Sequence, residues 1–376
     1  MKSEWKECQL GDLITFQRGH DLPKTKMQGG NYPVVGSNGI IGYHNEYTTE
    51  SPSITIGRSG NVGKPFLYNG KSWSHNTSLY IKEYKNVDPI FIYYFLQTLD
   101  LGNYAGGSAV PTLNRNHIHT LNVCVPMASE EQKQIASILS SLDDKIMLNT
   151  AINENLLQQA VAIFDNAIEQ SEHISHAELG SLADVKGGKR LPKGVNLITT
   201  PNLHPYIRVR DLNDVVFASL SANYEYVDDE TQKTISRYIT STGDVLISIV
   251  GTIGLTAIVD KSLDKANLTE NCVKITNLRG VSPEYLILFL RSQNGVKEIQ
   301  KGTVGAVQAK LPIKNIQSIN IPLLPQSEMQ SLSDTLTTLF SQISMNTAES
   351  KCLAGIRDSL LPQLMNGKID VSKVKI

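Results

Sequence analysis

Asn69-Gly70-Lys71-Ser72 has the tail of a phosphate-binding loop, in which glycine N–H groups and a lysine hold the phosphates of a nucleotide. The upstream glycine such a loop needs is replaced by Pro65, and no apolar helix-opening run follows, so that reading is rejected. Gly57-Arg58-Ser59-Gly60-Asn61-Val62-Gly63-Lys64 is glycine-rich and basic, but its spacing fits no nucleotide fingerprint. The chain has no Asn-Pro-Pro-aromatic run to hold a target amino group for methyl transfer, no Gly-x-Ser-x-Gly nucleophile elbow and no His-Glu-x-x-His zinc helix. His117 and His119 share a face if they lie on a strand, yet no third metal ligand stands nearby. The chemistry on offer is that of a binder rather than a catalyst.

The elements that position these residues occur twice. Leu10-Gly11, Leu13, Gly19 and Leu22-Pro23-Lys24 return as Leu179-Gly180, Leu182, Gly188 and Leu191-Pro192-Lys193, all at an offset of 169. Gly60, Gly63 and Asn76 match Gly251, Gly254 and Asn267 at 191, and Pro89, Phe95 and Leu96 match Pro283, Phe289 and Leu290 at 194. Asn122 returns as Asn320 at 198. Leu139, Leu142, Ile146, Asn149 and Leu156 return as Leu336, Leu339, Ile343, Asn346 and Leu353 at 197. An offset that grows and then holds describes one duplicated module whose second copy gained loop insertions.

Each copy has a β-rich part and a helical part, giving an α+β fold class. Short apolar runs such as Ser53–Ile56, Leu79–Ile81 and Val245–Ile249 are punctuated by Gly, Asn and Pro, as strands are. One helix interrupts each β-rich part, at Pro89–Leu99 and Pro283–Arg291, its proline suited to a first turn. Each part closes on a strand ending in proline, Val123–Pro126 and Ile319–Pro322. From about Ser129, residues recur at alternating steps of three and four, apolar at Leu139, Leu142 and Ile146, then the polar Asn149 and Asn153, then apolar again at Leu156, Ala160, Ile163 and Ala167. Leu336, Leu339, Ile343, Asn346, Ser350, Leu353, Arg357, Leu360 and Leu364 repeat that spacing. This is a coiled-coil seam, and the spacing predicts that the two helices pair antiparallel about a pseudo-twofold axis. Separate bundles, each using one amphipathic face, are the alternative. Equivalent positions of such a pair meet only at its midpoint, which predicts that Asn149 and Asn346 approach each other and fix the register.

The domains expected are therefore 1–126, 127–176, 177–325 and 326–376. The 376-residue chain has a net charge of −1, which divides unevenly. Residues 1–126 carry +2, 127–176 carry −6, 177–325 carry +3, and 326–376 balance. Positive charge thus favours the two β-rich modules, permitting contact with a polyanion without establishing it. Cys8, Cys124, Cys272 and Cys352 lie far apart and fit free thiols in a reducing compartment. The polar start and the lack of a membrane-length apolar run fit a soluble cytoplasmic protein.

In this order the motifs resemble the specificity (S) subunit of a type I restriction–modification system, along essentially the whole chain. The resemblance rests on the Leu-Gly-x-Leu openings with Gly and Leu-Pro-Lys downstream. It rests also on Glu131-Gln132-Lys133-Gln134-Ile135-Ala136 after the first closing strand, and on Leu360-Leu361-Pro362-Gln363-Leu364-Met365-Asn366-Gly367-Lys368-Ile369. Gln326-Ser327-Glu328-Met329-Gln330 departs from the pattern by lacking Ile-Ala. The resemblance implies two target recognition domains, each reading one half of a split double-stranded DNA target. It implies helices that set the gap and dock methyltransferase (M) subunits, two being expected, which carry S-adenosylmethionine. Restriction (R) subunits join them, no membrane is involved, and the S chain itself catalyses nothing. A helix of some 40 residues spans about 60 Å, or about 15–18 base pairs of DNA. A partner fusing methyltransferase and nuclease remains an alternative, as does a two-headed adaptor for proteins or glycans.

Under that resemblance the DNA-contacting candidates in module one are Lys24, Lys26, Arg58, Lys64, Asn76 and Arg115. In module two they are Lys189, Arg190, Lys193, Arg208, Arg210 and Lys310. Tyr43-His44 of module one and Thr252 of module two, on glycine-bounded loops, are secondary candidates. Residues kept in both copies, such as Lys24 and Lys193, suit phosphate contact. Residues that differ, such as Arg58 against Ile249 and the run Lys186–Arg190, suit base reading.

Overall fold

The computed structural model describes residues 5–107, 111–305 and 308–371. The chain divides into two units, Met1–Leu148 with Glu349–Ile376, and Asn149–Ala348. Neither unit is continuous with a sequence-expected domain, because each takes a piece of both long helices. Among the described residues no helix is long and apolar enough to cross a membrane.

The first unit opens with strand β1 (Trp5–Gln9), a one-turn helix α1 (Leu10–Leu13) and β2 (Ile14–Arg18). The Leu-Gly motif is a packing requirement: a Cβ on Gly11 stands 3.0 Å from the His119 carbonyl oxygen. There follow β3 (Tyr32–Gly36), β4 (Gly39–His44), β5 (Ser53–Gly57), β6 (Pro65–Tyr68), β7 (Trp73–Ser74) and β8 (Ser78–Tyr84). Helix α2 (Pro89–Gln97) starts where the Asp88 carboxylate accepts from the N–H groups of Ile90 and Phe91. Next come β9 (Ala105–Gly106), β10 (Thr112–Leu113), α3 (Arg115–His119), β11 (Asn122–Pro126) and the long helix α4 (Ser129–Gln170). The main sheet has the order β2-β8-β5-β6, β1 pairs with β11, and β4-β3-β7 make a small sheet. The core gathers Leu10, Ile14, Phe16, Ile54, Ile56, Phe91 and Phe95 with Ile135, Ala136 and Leu139 of α4, and with Leu364 and Met365.

The second unit repeats this frame with β12 (Ser175–Glu178), α5 (Leu179–Leu182) and β13 (Asp184–Gly187). Inserted chain then adds β14 (Tyr206–Ile207), β15 (Phe217–Ala218) and α6 (Asp229–Ile235) before β16 (Val245–Ser248) and β17 (Thr256–Val259). β18 (Asn267–Leu268), β19 (Cys272–Thr276), α7 (Pro283–Arg291), α8 (Gln293–Gly302), α9 (Ile313–Gln317), β20 (Asn320–Leu323) and the long helix α10 (Gln326–Met365) complete it. Its sheet order β13-β19-β16-β17 matches that of the first unit, and the insertion adds β15 as a parallel edge strand. The insertion packs Ile207, Leu212 and Tyr224 onto the sheet, in one apolar cluster with Leu246, Ala257, Val259 and Cys272.

The repeat is exact enough to be read bond by bond. Leu10 N–H donates to the Leu121 carbonyl and Leu179 N–H to that of Ile319, at 2.9 Å each. Gly19 N–H donates to the Ser78 carbonyl, and Gly188 N–H to that of Cys272. Arg58 N–H donates to Thr77 and Ile249 N–H to Asn271, while Leu113 donates to Arg58 and Leu311 to Ile249. These bonds correct one sequence pairing. The offset has already reached 194 at Thr77, so Asn76 corresponds to Glu270 and not to Asn267. Asn267 is instead fully buried in β18, paired with Tyr206 of the insertion.

Within the first unit, Arg357 of α10 donates to the Asp143 carboxylate of α4, and Lys145 lies 3.5 Å from Glu349. Within the second, Asn346 Nδ2 donates to Asn153 Oδ1 at 2.9 Å, and Asn153 Nδ2 to Thr347 Oγ1 at 3.2 Å. The Asn149 amide donates to the Asn346 main-chain carbonyl at 3.4 Å. The expected seam departs at one place. Ile163 is exposed, and Phe164 is buried instead, its ring 5.1 Å from that of Tyr285. There the helix turns a different face toward α7, because a straight helix of 3.6 residues per turn drifts off a 3.5-residue repeat.

Candidate nucleic-acid interface

In the first unit the sheet end beyond β2 gathers cations. Arg18, Arg58 and Arg115 line one concavity of about 510 Å³ with His117, Thr112 and Asn114. Arg58 follows β5, whose five residues are all buried, so the strand is fixed and its first residue past the sheet projects from a rigid base. Arg115 stands at the first turn of α3, where Asn114 caps by accepting from Asn116 N–H. Burial lowers the Arg58 pKa and the Arg18 charge lowers it further, with Asp21 opposing. Crowded cations of this kind favour an anion, which relieves their repulsion.

Asn76 donates its amide to the Asp21 carboxylate, which also lies 3.7 Å from the Arg18 guanidinium. The Asn76 carbonyl accepts from Arg58 Nη1 at 3.5 Å. Arg18, Arg58, Asn76 and Asp21 thus form one polar network. Lys64 lies apart from that network's bonds, its ammonium 5.7 Å from the Phe66 ring. Lys24 and Lys26 are exposed on a turn of 3-10 helix between β2 and β3. Tyr43 is exposed and His44 buried, edge-on to Trp73. His117 and His119 sit on α3 rather than a strand. Phe16 N–H donates to His119 Nε2 at 2.9 Å, which requires the unprotonated nitrogen. Burial lowers the His119 pKa, assisted by Lys85 and Arg115.

In the second unit Arg190 projects into solvent, its side chain 82% exposed, and donates to Glu270 at 2.8 Å. That hydrogen bond raises the Arg190 pKa. Burial pushes the Glu270 carboxyl up, but the Arg190 bond and charge outweigh it and hold it below its ordinary value. Lys189 lies over the Tyr238 ring at 5.5 Å, while Lys193 is exposed. Arg208 is committed inward, ion-paired with Glu225 and with Asp211 at 3.6 Å, and Arg210 shares both acids at 3.5 and 3.7 Å. To meet DNA, Arg208 has to give up these carboxylates. Exposed Lys310 exchanges both main-chain hydrogen bonds with Val304.

Sequence reading alone did not single out Arg18, Asp21 or Glu270. The available signal was the repeat itself. Asp21 and Arg190 share the offset of 169 and stand just before the repeated Leu-Pro-Lys. Among the described residues no group of three or more His, Cys, Asp or Glu is placed to hold a metal ion.

Residues 2–158 and 173–353 match the family described as type I restriction modification DNA specificity domain. The chain is similar to the type I restriction enzyme MjaVIII specificity subunit of Methanocaldococcus jannaschii, at 21% identity over 99% of this chain and 94% of that protein. It is also similar to the MjaIX specificity subunit of the same organism, at 23% identity over 76% and 70%. Its fold is similar to that of the S subunit of a type I restriction-modification system from M. genitalium. That match has a TM-score of 0.66 at 16% identity and covers 96% of each chain.

Proposed function

Because this chain belongs to the type I restriction–modification DNA specificity family, we propose that it is the DNA-reading subunit of such a complex. Each module reads one half of a split double-stranded target. The observation that carries this reading is one backbone frame built twice and lined with different polar side chains: Arg18, Asp21, Arg58 and Asn76 in one copy, Arg190 and Glu270 in the other. A frame repeated with changed contents suits two half-sites of different sequence.

The long helices α4 and α10 pair antiparallel along their seams and set the gap between half-sites. The Asn149, Asn153 and Asn346 amides hold their register, because a buried amide out of register loses its partner. The same helices dock two M subunits, and exposed apolar side chains, Met147, Leu148 and Ile356 in the first unit and Met345 in the second, support helix surfaces covered by protein. The net acidity of residues 127–176 suits a surface turned away from phosphates. S-adenosylmethionine and the methyl transfer belong to those subunits, R subunits join the assembly, and the work is done on DNA in the cytoplasm without catalysis by this chain.

The test is a single-molecule methylation map of host DNA, with and without this gene beside its M partner. A split adenine-methylated motif that disappears with the gene is the expected result. An unchanged map, with M demonstrably expressed and the purified complex failing to bind DNA, refutes the reading.

A further inference from the structure

The two modules hold a hydrogen-bonded polar pair at the same place in the frame, made from different residues. Asp21 and Arg190 are equivalent by position, as are Asn76 and Glu270, and each residue bonds to its own module's partner. The frame around them is rigid for one shared reason. A Cβ on Gly19 stands 2.1 Å from the His75 carbonyl oxygen, and one on Gly188 stands 2.0 Å from that of Thr269. The two main-chain segments therefore touch, and nothing larger than hydrogen fits between them. His20 N–H donates to the Ser74 carbonyl and Lys189 N–H to that of Leu268, which fixes the residue that follows in each module.

We propose that this pair is the base-selecting element of each module: Asp21 with Asn76 in one, Arg190 with Glu270 in the other. The proposal rests on the DNA-reading function argued above. Three residues downstream stand Lys24 and Lys193, unchanged between copies and exposed, as a sequence-blind phosphate contact requires. The pair, by contrast, changes its chemistry completely between copies while keeping its hydrogen bond. Arg190 presents a planar donor fork to solvent, steadied by Glu270, and such a fork takes guanine through O6 and N7. The Asp21 carboxylate is also mostly exposed, at 73%, and with the Asn76 amide it takes a base edge bearing an exocyclic amino group.

The neighbouring positions change with it. Where module one has Arg18, Arg58 and Arg115 around its concavity, the equivalent positions of module two are Gly187, Ile249 and Ile313. A Cβ on Gly187 lies 3.4 Å from Ile313 Cδ1, so this part of module two is closed over by apolar packing. Module two thus concentrates its discrimination in Arg190, while module one spreads contact over a cationic pocket. Arg190→Ala therefore removes more specificity than Asp21→Ala.

The experiment maps methylation in cells expressing the whole chain with its M subunits, for the native protein and for Arg190→Ala, Arg190→Lys and Asp21→Ala with Asn76→Ala. Arg190→Ala is expected to make one guanine position of one half-site degenerate, with discrimination there falling about 10- to 100-fold, while the other half-site keeps its full sequence. Arg190→Lys keeps the charge but loses the fork, and is expected to relax the same position; rescue by lysine marks a phosphate contact and overturns the proposal. The Asp21 and Asn76 double variant is expected to relax the opposite half-site. Full discrimination retained in both half-sites, or methylation falling evenly at every site, also overturns it. If the native chain directs no split motif, the DNA-reading function fails and this proposal with it.

Discussion

Replacing Arg357 by methionine breaks an ion pair inside the first unit and leaves its acid behind. Asp143 accepts from the Tyr94 hydroxyl at 2.6 Å and from the Arg357 guanidinium, which also reaches Asp358 at 2.7 Å. Burial lowers the Arg357 pKa, but the bonds to the two carboxylates outweigh it and raise the group above its ordinary range. Breaking a fully buried pair costs about 3–5 kcal/mol. The Arg357 and Asp143 side chains keep 27% and 30% of their exposure, so water recovers part of that. About 2 kcal/mol is expected for Arg357→Met, with a coupling of about 1–2 kcal/mol to Asp143→Asn in a double-mutant cycle. The second copy supplies the repair: its equivalents of Tyr94, Asp143 and Arg357 are Leu288, Phe340 and Ala160, all buried. The triple variant Tyr94→Leu, Asp143→Phe, Arg357→Ala is expected within about 1 kcal/mol of the native protein, since apolar packing can replace a buried pair. A chain of two units need not unfold in one step, so the readout is native-state hydrogen exchange of amides in residues 129–148. A coupling below about 0.5 kcal/mol, or a triple variant no more stable than Arg357→Met, refutes the argument.

Gly19→Ala and Gly188→Ala each drive a methyl into a carbonyl of the facing segment. Each is expected to destabilise its own unit by about 2–3 kcal/mol, measured by exchange within that unit, with exchange in the other unit unchanged. His119 must stay neutral to accept from Phe16, and its folded pKa lies below the ordinary 6.5. Its contribution is therefore complete above that value and lost as pH falls toward the folded pKa. The first unit should weaken as pH falls below the ordinary 6.5, and thermal melts of His119→Gln should show a flatter slope over that fall. Burial pushes the Cys272 thiol up to about 12, whereas Cys124 and Cys352 are exposed. A thiol reagent should modify the latter two promptly and Cys272 only on unfolding; rapid labelling of Cys272 in the folded chain contradicts its burial.

What the sequence determined by itself is the frame. Leu-Gly pairs, the glycines before Leu-Pro-Lys and the helical periodicity all repeat, because close main-chain approach and a buried stripe each demand particular residues at fixed spacing. Charge division along the chain likewise needs only counting. Tertiary structure alone decided which side chains share a place. The offset changes between Tyr68 and Thr77, where no spacing rule constrains chain length, so sequence spacing pairs Asn76 with Asn267 whereas the backbone hydrogen bonds pair it with Glu270. Arg208 and Arg210 are basic residues on a loop in sequence, but their engagement with Glu225 depends on a fold that returns the chain to them. Ile163 and Phe164 are neighbours of similar hydropathy, and only the position of Tyr285 selects the one that is buried. Local pattern reports what each element requires of its own residues; the choice of partner across a loop is made by packing, which no local pattern contains.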